Sequence, residues 1–546
     1  MPGRGGTGLL GTLRPDDALA AEPEPVADLA GAIREYERKS AAIRWIWPAT
    51  RLLYPNLLRA GVRVARCHDV ELTAALLAAR DGHGENSAPL AVHPEGVGEA
   101  APTTAQLPFE ADESTGPDPG EDLAALVALH AQQQSRIRAD AEPTKFALLT
   151  MAESAGGIVA AEMTAAGLPW RADIHDRLLT EVLGPRPRVF AGQPVRPARL
   201  TDLATQISAA LGAVRPVNPD SPAQLLRALA ASGIRVSSTR SAVLRQVDHP
   251  VIPLLLEYKE LVRLYSANGW AWLDTWVSAG RFRPEYVVGG VVSGRWASRG
   301  GGALQIPKLL RQAVVADPGW TLVVADAAQL EPRILAALAG DRAFAQAAGT
   351  GDLYDAVAAA IGGDRPTAKL ALLSAMYGGT GGDRGQSLAL LRRRFPEASA
   401  FVESAARAGE EGRVVRSVLG RTCPAPSAAW RSLTSESGDP DQERDPGAGA
   451  AARARGRFTR NFVVQASAAD WALVLLALLR SRLVAPAQLV FFQHDEVIVH
   501  CPADQADEVV AAITSAAANA TQLVFGATEV SFPMTTVVAD SYAVAK

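Results

Sequence analysis

Cysteine is nearly absent: three residues, Cys67, Cys423 and Cys501, stand far apart in a chain of 546. Their odd number and wide spacing exclude a disulfide framework or zinc knuckle and point to a reducing compartment. Long hydrophobic runs are missing too. Met1 to Asp17 holds no apolar core of signal-peptide length. The most apolar run, Trp471 to Leu479, is too short to span a bilayer and is followed by Arg480 and Arg482. A soluble, cytoplasmic chain without membrane contact is expected. There is no basic excess either: the net charge of −4, taken whole, argues against a polyanionic partner. The plentiful Ala, Gly, Arg and Pro say more about codon usage than about fold. The length allows roughly two to four domains with substantial cores.

The charge that is present is segregated. Glu95 to Asp122 carries eight acids and no Lys or Arg, whereas Arg281 to Trp320 carries six Lys or Arg against two acids. Asp383 to Arg421 is Arg-rich as well. Phosphate neutralisation is local, so this distribution suits a nucleic-acid cleft, although a solvated surface produces it too.

Two acids stand at the ends of apolar, β-branched-rich runs. Thr321 to Ala325 reads as a buried strand ending at Asp326, with a helical pattern of Leu330, Ile334, Leu335 and Leu338 after it. Gln488 to Phe492 and Val497 to His500 read as two strands, with His494, Asp495 and Glu496 in the tight turn between them. A lone Asp after a strand is usually a cap or turn former, and Asp326 alone is open to that reading. The turn resists it, because adjacent acids repel and tight hairpins favour Asn-Gly or Asp-Gly. Acids at buried strand ends need cations, and divalent ions supply them. In a third stretch, Arg365, Lys369, Leu373 and Tyr377 recur at every fourth position, on one helix face. Two cations, an apolar side chain and an aromatic in that order suit a triphosphate at one end and a base at the other. A solvated basic edge beside a core stripe would have the same spacing.

In these stretches the chain resembles the family A (DNA polymerase I-like) DNA polymerases. Asp326-Ala-Ala-Gln329-Leu330-Glu331-Pro332-Arg333 is similar to the family's first palm motif, DYSQIELR. The Arg365 ladder is similar to its fingers motif, RxxxKxxxFGxxYG, and Gln493-His494-Asp495-Glu496 to its second palm motif, VHDE. The motifs come in the family's order, and the likeness runs from about Glu153 to the C-terminus. Val292 to Ser298 resembles the SGRLSS turn, Gln305 to Pro307 the NIP segment, and Gly351 to Tyr354 the Asp-Ile-His segment. Arg457 to Asp470 resembles the helix that carries Arg, Asn and Gln on one face.

The resemblance implies an α+β right-hand polymerase, with an antiparallel palm sheet, helical fingers and a helical thumb on a reduced α/β exonuclease-like N-terminal domain. It implies template-directed addition of deoxynucleotides to a primer 3′-OH by two-metal phosphoryl transfer. Asp326, Asp495 and the Ala327 carbonyl would hold two Mg²⁺ ions, with Mn²⁺ able to substitute, and Glu496 would be a secondary acid near them. Arg365 and Lys369 would hold the phosphates, with Lys369 able to protonate the departing pyrophosphate. Gln329 joins the nucleotide-binding set. Glu331 would lie under the sugar and exclude a ribose 2′-OH. Tyr354, in place of the family's His, would donate to a phosphate oxygen. Leu373 would pack on the sugar and Tyr377 near the template base. Arg295, Arg311, Arg457, Asn461, Gln465 and His494 would contact DNA or the phosphates beside it, Arg295 through minor-groove acceptors common to all correct pairs. The expected partners are primer-template DNA and dNTPs, and a monomer is expected. The chain departs from the pattern at Ala327-Ala328 for Tyr-Ser, Pro332 for Leu, Leu373 for an aromatic and Ser374 for Gly.

The expected organisation is an exonuclease-like domain over 1–150, including an acidic, Pro-rich linker at 84–120. Thumb and approach to the palm follow over 151–290, the first part of the palm over 291–350, fingers over 351–455 and the rest of the palm over 456–546. Ser435 to Gly456 reads as a loop, Val62 to Ala65 as a strand and Val70 to Arg80 as a helix. Ser221-Pro222-Ala-Gln224 reads as a capping box, and Val251 to Trp276 as one long helix. Asp69-Val-Glu71 has the form of a proofreading motif but fits a helix cap better, and no apolar strand ending in Asp-x-Glu precedes it. His130 to Gln134 occupies the place of the terminal Tyr-x-x-x-Asp. Proofreading is therefore expected to be absent. The alternatives are a polymerase that does proofread and a polymerase-shaped DNA-binding protein with little synthesis.

Overall fold

Buried apolar residues build the sheet that carries the two acids. Leu322, Val323, Val324 and Ala325 are buried on both faces of the strand Trp320–Ala327, as a strand inside a covered sheet requires. It is third in a four-stranded sheet ordered Gln488–Gln493, Glu496–Pro502, Trp320–Ala327, Met534–Ala539. The first two strands form an antiparallel hairpin pairing Phe492 with Val497 and Gln493 with Glu496, with an irregularity between Leu489 and Phe491. The structure, a computed structural model, describes residues 1–546 other than 4–5, 41, 83–118, 191–192, 300–305, 350, 379–383, 436–445 and 546. Most of the expected linker, Gln305 and residues 436–445 of the expected loop lie outside the described residues.

The chain divides into two compact units. One comprises Met1–Ala165, Glu285–Ala297 and Val323–Val538, and the other Ala166–Pro284, Ser298–Leu322 and Ala539–Lys546. The boundaries expected at 150/151 and 455/456 fall inside the continuous helices Pro143–Ala166 and Pro446–Arg482.

In the first unit the 37-residue helix Pro446–Arg482 packs along the helices Pro396–Glu410 and Ala506–Phe525. It corrects the expected loop, whose residues 446–456 are its first three turns. Gly447, Gly449 and Gly456 read as breakers, but Ala448, Ala450, Ala451, Ala452 and Ala454 are strong helix formers. Gly409 opposite them lets the two backbones approach, since a Cβ there would sit 2.8 Å from the Arg455 carbonyl oxygen. Among the described residues, three helices, Pro143–Ala166, Gly447–Arg482 and Ala503–Phe525, are long and apolar enough to cross a membrane by length and composition. In the first two, 61% and 83% of the apolar window is buried inside the protein, so packing accounts for their hydropathy.

The same unit holds a buried ionic knot. Arg421 donates to Glu153 (2.7 Å) on helix Pro143–Ala166 and to Asp470 (3.1 Å) on the long helix. Burial alone would lower the Arg421 guanidinium; the two carboxylates beside it outweigh that and raise it. In the N-terminal part, strands Trp45–Trp47 and Cys67–Asp69 pair in parallel. Val62 to Ala65 is irregular rather than a strand. Val62 and Val64 enter the core with Trp47, Tyr54 and Leu57, and the Val64 N–H is directed at the Tyr54 hydroxyl (3.3 Å). Asp69 is buried and N-caps helix Val70–Arg80: one oxygen accepts from the Leu72 N–H (2.9 Å), the other from the Thr50 N–H (2.7 Å).

The second unit is largely helical. The Ser221 hydroxyl caps helix Pro222–Ala231 by accepting from the Gln224 N–H (3.4 Å), while the Gln224 side chain turns to the Asn218 N–H. The long helix expected over 251–276 is two, Val251–Asn268 and Trp270–Trp276. They break at Gly269, where any Cβ would collide with the Tyr265 carbonyl. Trp170, Trp272 and Phe282 form the aromatic core there, with centroids 4.7–5.5 Å apart.

Candidate active site

A backbone bond ties the two acidic strand ends together: the Ala327 N–H donates to the Asp495 carbonyl at 2.9 Å. Asp326 is the penultimate residue of its strand. The hairpin turn is His494-Asp495 alone. Glu496, expected in the turn, opens the next strand, buried and paired with Gln493. The tighter turn is possible because His494 adopts φ 56°, a left-handed conformation that non-glycine residues seldom take. Gln329 does the same (φ 51°) between strand Trp320–Ala327 and helix Leu330–Ala339. That corner is held by Arg333, fully buried, which donates to the carbonyls of Ala328 (3.0 Å), Ala348 (2.7 Å), Gly351 (2.6 Å) and Ser531 (3.0 Å) and to the Gln329 amide oxygen (3.1 Å). Burial lowers its pKa, and these acceptors satisfy its donors. Pro332 lies in the first turn of the helix, where a missing N–H costs nothing.

Above this corner lies a cavity of about 190 Å³. The turn contributes His494 and Asp495, the corner and helix Gln329, Leu330, Glu331 and Pro332, and the helix Arg365–Tyr377 contributes Leu373 and Tyr377. Arg295, Tyr354, Ala468 and Ala469 complete the wall. Glu331 bridges two of its neighbours: one oxygen accepts from Arg295, the other from the Tyr377 hydroxyl. Gln465 also hydrogen-bonds Tyr377. Burial and the Glu331 charge raise the Tyr377 phenol, which stays neutral. Burial and the Arg295 charge hold the His494 imidazole below its ordinary value.

The helix Arg365–Tyr377 starts where the Asp364 carboxylate accepts from the Thr367 N–H (2.8 Å) and ends at Gly378 (φ 77°). Arg365 pairs with Asp352 (2.8 Å) and approaches Asp355 (3.8 Å). Asp352 also caps helix Leu353–Ile361 and accepts from the Gln329 amide (3.0 Å). Burial alone would raise its carboxyl, but Arg365 and the helix N–H groups hold it below the usual range. The Arg365 guanidinium and Lys369 ammonium both stand over the Tyr354 ring, at 5.4 and 6.0 Å from its centroid.

On the long helix, Asn461 and Gln465 are half-buried one turn apart, and the Asn461 Oδ1 is buried without a hydrogen-bond partner. Arg457 is exposed at the end of the helix Arg365–Tyr377, near Gly378. Arg311 belongs to the second unit, its guanidinium over the Tyr542 ring at 4.7 Å. Sequence reasoning gave no role to Asp352, Arg333 or Arg421. Asp352 and Arg333 stood in plain sight inside quoted motifs, but their partners are backbone groups and distant side chains that spacing does not reveal.

The chain has the fold of a right-hand polymerase. A solved structure of the POL domain of Pol1 from M. smegmatis, in complex with DNA primer-template and dNTP, matches all of this chain and 97% of its own length. Its TM-score is 0.71 at 18% identity. The family model described as DNA polymerase family A matches residues 196–543, and the chain belongs to that family. DNA polymerase I, thermostable, of Thermus filiformis is 27% identical over 305 residues, which is 50% of this chain and 34% of that protein. DNA polymerase I of Deinococcus radiodurans is 26% identical over 373 residues, 60% of this chain and 36% of that protein. The chain spans about a third of the length of these curated relatives.

Proposed function

We propose that this chain is a template-directed DNA polymerase that adds deoxynucleotides to a primer 3′-OH. The hydrogen bond from Ala327 to Asp495 carries the reading, because it joins two acid-bearing strand ends beside a cavity whose helical wall carries Arg365 and Lys369 on the same face as Leu373 and Tyr377. Among the described residues no group of three or more His, Cys, Asp or Glu is arranged to hold a metal. Two carboxylates and a carbonyl fit a hard ion that keeps waters and is completed by substrate phosphates, as Mg²⁺ is, and do not fit a closed zinc-type site. Asp326, Asp495 and the Ala327 carbonyl would hold two Mg²⁺ ions, for which Mn²⁺ could substitute. Such ions, when bound, neutralise triphosphate charge and activate a hydroxyl nucleophile.

The chain's own groups do the rest. Arg365 and Lys369 bind the triphosphate, and Lys369 can give its proton to pyrophosphate. Glu331, held from both sides, presents a fixed wall to the sugar. Leu373 packs on the sugar, and Tyr377 lies next to the template base. Arg295, Arg457, Asn461, Gln465 and His494 contact the primer-template, and Glu496 supports the turn that bears Asp495. Arg311 joins them in contacting DNA. We further propose that the chain lacks proofreading, since both Asp69 oxygens are committed to helix N-termini and Glu71 pairs with Arg51 (2.7 Å). A monomeric, cytoplasmic enzyme is the corresponding cellular reading. Primer extension with dNTPs and Mg²⁺ tests the proposal, and retention of a mismatched 3′ end without dNTPs tests the missing proofreading. Duplex binding without extension would favour a polymerase-shaped binding protein instead.

A further inference from the structure

Tyr354 lies beneath two cations, one of which also pairs with Asp352. It is buried, its ring lines the cavity, and Arg365 and Lys369 lie over the ring at 5.4 and 6.0 Å from its centroid. Both cations are otherwise exposed on a helix edge, and both have long, flexible side chains. Arg365 is steadied on one side by Asp352 at 2.8 Å. Lys369 is held over the ring itself. The ring's negative face attracts both cations and is rigid, so it can set their spacing without neutralising either. A carboxylate in the same position would satisfy the cations and leave less positive charge for a triphosphate.

We infer that Tyr354 is a positioning residue whose ring, not its hydroxyl, presents Arg365 and Lys369 as one preorganised triphosphate clamp. This rests on the polymerase reading of the site and replaces the expectation that the phenol donates to a phosphate oxygen. The nucleotide then meets two charges already spaced for adjacent phosphates, and forfeits less ordering entropy on binding.

The test compares Tyr354→Phe with Tyr354→Leu in primer extension, alongside a titration of each protein with inorganic tripolyphosphate. Tyr354→Phe keeps the ring and is expected to hold KM for dNTP within about twofold of the parent. Tyr354→Leu removes it and is expected to raise KM roughly tenfold, as losing two partly exposed cation–π contacts predicts. kcat should change far less, and tripolyphosphate affinity should fall in parallel. A Phe variant as impaired as the Leu variant would assign the role to the hydroxyl and overturn the inference. So would a Leu variant with parental KM. Should Tyr354→Leu prove unfolded by circular dichroism, Tyr354→Met gives the same contrast. If the parent protein extends no primer, the polymerase reading fails, while the tripolyphosphate titration still decides the role of the ring.

Discussion

Glu331 holds two partners through one carboxylate, so its replacement has two consequences. Glu331→Ala removes the wall expected beneath the sugar and also frees Arg295 and Tyr377. Discrimination against ribonucleotides should fall about 10–100-fold, measured as the ratio of kcat/KM for dNTP and rNTP. Tyr377→Phe, which breaks only one of the two contacts, should leave sugar selection near the parental value. Arg421 offers a contrast at the same scale. Its neighbours Glu153 and Asp470 are as buried as it is, so Arg421→Met strands two carboxylates in the core. The expected loss is about 3–5 kcal/mol, read from urea unfolding. Glu153→Gln combined with Asp470→Asn in the Met background should recover part of it.

At the scale of elements, periodicity made the helix Arg365–Tyr377 legible. Arg365, Lys369, Leu373 and Tyr377 needed only a fourfold spacing, and the helix Arg365–Tyr377 spans that interval. The strand before Asp326 and the hairpin around Asp495 were legible because buried runs of Val, Leu and Phe have few other uses. The start of the long helix was not. Three glycines in 446–456 looked like breakers, and what outweighs them is the close contact with helix Pro396–Glu410, some fifty residues away in sequence. Gly409→Val should push these helices apart, since the added atoms would meet Arg455 and Thr459. We expect a loss of about 1–3 kcal/mol, measured by thermal or urea unfolding, with Gly409→Ala milder. The Gly269 break was hidden for a similar reason: two helical patterns in one phase read as one helix. The network of Glu331 with Arg295 and Tyr377 was equally invisible, because it joins three segments that only the fold brings together.

At the scale of the whole molecule, each compact unit contains an imidazole that must stay neutral. His68 in the first is depressed to about 4 by burial, and lies against Gln133 (2.8 Å) and His130. His175 in the second is likewise depressed to about 4 by burial. Its Nδ1 accepts from the Trp170 indole (3.3 Å) while its Nε2 faces the Asn268 carbonyl (2.9 Å). Between pH 4 and 6.5 the unfolded chain binds protons that these folded sites refuse. Stability is therefore intact above about pH 6.5 and falls as the pH drops toward 4, by up to ~3 kcal/mol per site. Unfolding free energies measured across that range should decline, and His175→Gln should flatten the slope. A stability profile independent of pH from 7 to 4 would contradict this.

The closest test of the site itself is extension of an annealed primer with dNTPs and Mg²⁺ by the parent protein, Asp326→Asn and Asp495→Asn, at matched occupancy of primer-template. We predict extension by the parent and a loss of about a thousandfold or more in each variant, with DNA affinity nearly unchanged. Extension by either variant at the parental rate would contradict the assignment of the two strand-end acids to the reaction.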